Sequence, residues 1–111
     1  MKLVILEEAE LELQLATEWF EEQRAGLGTE FSDAVLKLLH SIAANPMQFG
    51  PVPGSRHKEQ IRVGLVRRFR YTVIFKVHAK QQELIVVSIH HGHRRPGKLR
   101  GRLDSIESSE D

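Results

Sequence analysis

Cysteine is absent from the 111 residues, which excludes a disulfide framework, a thiol nucleophile and a thiolate zinc site, and makes a reducing, cytoplasmic setting the natural expectation. No apolar run approaches the roughly 18 residues that span a bilayer. The opening MKLVIL passes directly into acids instead of a cleavable signal, so neither export nor a membrane partner is expected. A phosphate-cradling glycine loop is missing too, because Gly50 and Gly54 are separated by prolines and neither leads into a helix. No Ser-His-Asp type arrangement is discernible. Acids are nearly missing from the second half. From Arg62 to Arg102 eleven Lys/Arg face Glu83 alone, a net +10, whereas Met1 to Gly50 holds three Lys/Arg against nine acids, a net −6. Either acidic helices and a basic sheet lie side by side, or one element faces an anionic partner, an acidic protein or a nucleic-acid backbone.

What is present fits one ordinary core. With 41% apolar and 28% charged residues, a single domain over 1–103 is expected, followed by an acidic, serine-rich and disordered tail at 104–111. The stretch from Gln60 to Pro96 organises the rest. Apolar side chains recur at every second position in Ile61-Val63-Leu65, in Phe69-Tyr71-Val73-Phe75-Val77, and in either Leu84-Val86 or Val87-Ile89, the period of half-buried strands. Between them stand Arg62, Arg68, Arg70, Thr72, Lys76 and His78, which predicts one face on a core and one presenting cations. A bulge near Gly64 would exchange the two faces.

Met1 to Leu6 reads as a first strand, central or semi-buried. From Glu7 the period becomes helical, with Ala9, Leu13, Ala16 and Phe20 on one stripe and seven glutamates around it. Leu11, Leu15 and Trp19 form a second row among Glu8, Glu12, Glu18 and Glu22, either buried at a helix flank or open to a partner. Gly26-Leu27-Gly28-Thr29 is a tight connector, with Thr29 available as a cap. The next helix carries Phe31, Ala34, Val35, Leu38, Leu39 and Ile42 on one face and stops at Asn45-Pro46. Phe20, Phe31, Leu38 and Ile42 should share a core. Met47 to Ser55 is a loop pinned by Phe49 and Val52, and Lys80-Gln81-Gln82 is a hairpin tip. The order βααβββ defines an α+β fold, with the N-terminal strand and helical hairpin packed on one face of a mostly antiparallel sheet.

On this layout, Ala9 to Leu13 leading to Trp19-Phe20, Gly26-Leu27-Gly28 with Phe31, Ile42 with Asn45-Pro46 and Phe49, Arg68-Phe69-Arg70-Tyr71 running into Val73-Ile74-Phe75, and His91-Gly92-His93-Arg94-Arg95-Pro96-Gly97 together resemble the RelE/ParE superfamily of type II toxin–antitoxin toxins, closest to its ParE-like branch. Two departures are visible: Arg70 stands where that branch usually has Pro, and Lys98-Leu99 where an aromatic residue usually follows. The resemblance implies a toxin acting on DNA gyrase and neutralised by a cognate acidic antitoxin, ParD-like or related, in a hetero-oligomeric complex. The alternatives are a RelE-like ribosome-dependent mRNA endonuclease and a non-toxic interaction module on the same fold. For neutralisation, an acidic, partly disordered antitoxin segment would contact Leu11, Leu15 and Trp19 and the cations Arg62, Arg68 and Arg70; His91, Arg94, Arg95 and Lys98 would meet the target.

RNA cleavage by 2′-oxygen attack needs a base, cations on the phosphate and an acid for the leaving oxygen. His91, Arg94 and Arg68 could supply part of that set. It is incomplete, because Thr72 stands where such nucleases commonly carry Arg and nothing aromatic follows Pro96. His90-His91-x-His93 does not make a metal site: on a strand only His91 and His93 converge, and no third ligand lies near. No cofactor is expected.

Overall fold

The structure, a computed structural model, describes residues 1–52, 61–92 and 101–103. Six principal elements follow in the expected order: β1 (Lys2–Ile5), α1 (Glu7–Gln23), α2 (Leu27–Ala44), β2 (Ile61–Val66), β3 (Tyr71–His78) and β4 (Glu83–His91). The strands form one sheet in the order β1-β4-β3-β2, with β2–β3 and β3–β4 antiparallel and β1 parallel to β4. β1 is therefore an edge strand and not central. β3 occupies the inner side of β4, and the outer side is open to a strand arriving through the long crossover that a parallel pair requires. The tail at 104–111 lies outside the described residues.

The helical stripe falls where periodicity puts it. Ala9 and Ala16 are buried and Leu13 and Phe20 pack beside them, while Phe31, Val35, Leu39 and Ile42 of α2 are almost wholly enclosed. Phe20, Phe31, Leu38 and Ile42 do share one core with Val73, Phe75, Leu84, Val86 and Ile89. Full burial of a side chain such as Phe31 contributes about 1.5–3 kcal/mol. Phe49 and Val52 anchor the loop as expected, Phe49 edge-on to Phe75 at 5.8 Å and Val52 buried on the opposite side of the sheet.

The connector differs in detail. Gly26 takes a left-handed conformation (φ 88°), and α2 starts at Leu27, ahead of Thr29. Its first N–H groups are capped from the other helix: Gly26 and Gly28 donate to the two oxygens of Glu21 at 2.9 and 3.0 Å. A carboxylate at a helix N-terminus is favoured by the exposed amides there. A Cβ on Gly28 would lie 2.6 Å from the Thr17 carbonyl oxygen, so the helices touch backbone to backbone at this point.

The expectation of one cationic sheet face is overturned. Leu3, Ile5, Val66, Tyr71, Val73, Phe75, Leu84, Val86 and Ile89 line the helix side, but Val52, Ile61, Ile74, Ile85 and Val87 make a second apolar cluster on the other face, joined by Val4, Leu6, Val63 and Leu103. Lys76 is only 1% exposed, standing in register between Ile61 and Ile85 of that cluster. Arg62 pairs with Phe75 and so lies on the helix side, half-buried, donating from Nη1 to the Phe49 carbonyl at 2.6 Å. Ile61 and Val63 thus face away from the helices. Gly64 carries no bulge. The irregularity is in β4, where Ile74 pairs with Ser88 but Phe75 with Val86. That extra residue lets Leu84, Val86 and Ile89 all face the helices, so the inward row takes Leu84-Val86 from one alternative and Ile89 from the other, while Val87 turns to the opposite face.

Beyond Ile5, no strand among the described residues lies on the outer side of β4. Glu12 and Arg102 stand in for one: the Ile89 N–H donates to Glu12 Oε1 at 3.2 Å, and Arg102 Nη1 donates to Glu12 Oε1 at 2.9 Å and to the Val87 carbonyl at 3.0 Å. Backbone groups at a partly buried edge demand such partners.

Candidate functional site

At the end of the sheet opposite the 79–82 hairpin, Leu65, Val66, Arg67, Arg70, Tyr71, Thr72, His91 and Gly92 surround an open cleft of about 490 Å³. It is built by the β2–β3 connection. Arg67 to Phe69 form a 3-10 turn, Arg70 closes it in the left-handed region (φ 57°, ψ 39°), and its N–H donates to the Arg67 carbonyl at 3.2 Å. Phe69 belongs to this turn, not to a strand. Its ring is buried all the same, 5.0 Å from Phe20 and 5.2 Å from Phe31. The buried ring anchors the turn while Arg67 and Arg70 project into solvent.

The other wall is the end of β4. Tyr71 and His91 are paired across the strands with ring centroids 5.5 Å apart. The Gly92 N–H donates to the Arg70 carbonyl at 2.6 Å, and the Thr72 hydroxyl donates to the Gly92 carbonyl. Tyr71 is held against Phe31 at 4.8 Å. Burial, and secondarily the charge of Glu12, push its hydroxyl above the usual range, so it keeps its proton at neutral pH. Among the described residues no carboxylate lines the cleft, and neither Arg67 nor Arg70 has an ion-pair partner. Two guanidiniums, an imidazole and a protonated phenol therefore meet one open space. Such a set binds phosphate or carboxylate oxygens and can hand over a proton.

The residues singled out from sequence are dispersed. Arg70 and His91 are in the cleft. Arg68 points away from it, with Nη2 2.6 Å from Glu30 Oε1 and its guanidinium 4.8 Å over the Phe69 ring. Arg68 foremost, then Arg24, hold the Glu30 carboxyl below the usual range. Arg62 is tied to Phe49. Leu11, Leu15 and Trp19 are each more than half exposed on α1. Arg94, Arg95 and Lys98 lie outside the described residues, as does His93. Sequence reasoning passed over Arg67, Tyr71 and Thr72 as cleft walls. The signal was a four-residue connection rich in arginine, whose second half, Phe69 and Arg70, was read as the start of a strand. Among the described residues no three His, Asp or Glu converge as a metal site would require.

No family model matches the sequence, and no curated protein matches it either. Among solved structures the chain is similar to the isolated RelE toxin of E. coli in its P21 crystal form, with a TM-score of 0.60 over 95% of this chain and 97% of that one. This chain has the RelE fold. Identity over the match is 16%, so what is shared is the RelE architecture: the βααβββ order and the helical hairpin over the sheet. No helix among the described residues is long and apolar enough to cross a membrane.

Proposed function

We propose that the chain is a growth-arresting toxin of the RelE/ParE type, held inactive by a cognate antitoxin, and that the cleft between Arg67, Arg70, Tyr71 and His91 is where it grips its target. The observation that carries this reading is a cationic cleft, lined by no carboxylate among the described residues, at one end of a RelE-like sheet. Its two arginines have no ion-pair partner among the described residues, which leaves their attraction for an anionic surface. DNA gyrase is the leading target. Thr72, which turns its hydroxyl to the Gly92 carbonyl, supplies no cation where an RNA-cleaving set needs one, and Tyr71 is a weakened acid. Supercoiling and relaxation assays with the purified chain test this target; no effect on gyrase at large toxin excess would exclude it.

A second reading, ribosome-dependent mRNA cleavage, is favoured by one feature: His91 and a phenolic proton share the cleft with two phosphate-binding groups. Primer extension on translated mRNA separates the two, since discrete cuts that vanish on His91→Ala would select the nuclease.

A further inference from the structure

We infer that the outer flank of α1 is a docking surface for an amphipathic helix whose apolar stripe is bordered by lysine or arginine. The surface is independent of whatever the arginine cleft grips. Leu11, Leu15 and Trp19 are 53%, 55% and 55% exposed. Their i, i+4, i+8 spacing makes one continuous row about 12 Å long. The row lies away from Ala9 and Ala16, which face the sheet, and away from Thr17 and Glu21, which meet Gly28 of α2. Nothing in the domain covers it among the described residues. Trp19 is also braced, its ring edge-on to Phe20 at 5.1 Å, so a contacting ligand would meet a positioned aromatic.

The charge around the row selects the occupant. Glu8, Glu12, Glu18 and Glu22 border it, and α1 from Glu7 to Gln23 has seven glutamates and no lysine or arginine. An acidic helix laid here would bring like charges together, and so would an anionic membrane or a nucleic acid; each is disfavoured. A cation already lands on this flank. Arg102 reaches Glu12 at 2.9 Å and Glu8 at 3.8 Å with its side chain only 10% exposed. Apolar residues opposite a Leu-Leu-Trp row, with cations opposite the bordering acids, are the helix-in-groove mode with reversed flank charge. An acidic partner segment suits the arginine cleft; the α1 flank needs the opposite sign.

Trp19 is the only tryptophan and reports its own contact. The full chain is titrated with a synthetic amphipathic peptide of about sixteen residues carrying a leucine stripe bordered by lysines, and separately with its counterpart bearing glutamate at each lysine. The lysine peptide should shift Trp19 emission to the blue and bind at least about tenfold more tightly, with affinity falling as salt rises. Leu15→Glu should abolish the shift. Glu18→Lys with Glu22→Lys, both at exposed positions, should invert the preference. Equal binding of the two peptides, no emission shift with the lysine peptide, or an unchanged preference in the charge-reversed variant would overturn the inference.

Discussion

Arg70 is strained where it is useful, and replacing it with glycine should separate the two properties. Its φ of 57° is in the left-handed region, where an L side chain costs about 1–2 kcal/mol. Glycine removes that cost but adds about 0.4–1 kcal/mol of unfolded-state entropy. The Arg70 side chain is exposed, with no bond to lose among the described residues, and the 2.6 Å bond from Gly92 uses the Arg70 carbonyl, which glycine keeps. Arg70→Gly should therefore stabilise the fold by about 0.5–1 kcal/mol while weakening the target contact. Gln82 closes the other hairpin in the same way, at φ 55° after a 3-10 turn. Gln82→Gly is the matched control, with a similar gain in stability and unchanged activity. Urea unfolding followed by Trp19 fluorescence reads the first quantity, and inhibition of gyrase the second. A destabilised Arg70→Gly, or one that inhibits as well as the parent, would refute the reasoning that strain is tolerated here for the sake of the guanidinium.

Gly28→Ala should lower stability by about 1–3 kcal/mol in denaturant titration although alanine favours helix, because the new Cβ sits 2.6 Å from the Thr17 oxygen and forces the helices apart. A neutral result would show that the hairpin is not pinned there. Glu12→Ala should cost about 1–3 kcal/mol and speed hydrogen exchange at the Ile89 amide, which loses its acceptor; protection equal to the parent would mean that the edge finds another partner. His90 is held below its ordinary 6.5, first by burial and further by Arg102, against an opposing pull from Glu12. The unfolded chain thus binds a proton that the folded chain refuses, and stability should fall as pH drops below 6.5. His90→Gln should remove part of that slope between 6.5 and the lowered folded value, and an identical pH profile would contradict the assignment.

Local periodicity made the helices and the element order legible. Ala9, Leu13, Ala16 and Phe20 repeat at helical spacing, and Pro46 ends α2 for a reason internal to its ring. Sheet position and face were less so. A parallel edge pairing between β1 and β4 joins residues some eighty positions apart, which no local pattern encodes. Alternation in β3 showed one apolar row, and Lys76 concealed that the other row, with Ile74 at its centre, is buried as well. The continuous apolar run Leu84 to Val87 was the better indicator, since strands covered on both faces read that way. Half of the cleft was visible as Arg70 and His91. Arg67 and Tyr71 joined it only through a turn whose left-handed closure at Arg70 has no glycine to announce it.

Growth of a bacterial host after induction of the chain alone tests the proposed role most directly, with Arg67→Ala/Arg70→Gly expressed at equal level beside it. Arrest by the parent, relieved by the paired substitution in a protein that still unfolds cooperatively, is the expected result. Normal growth with the parent chain, or equal arrest by both proteins, would contradict a toxin that acts through the arginine cleft.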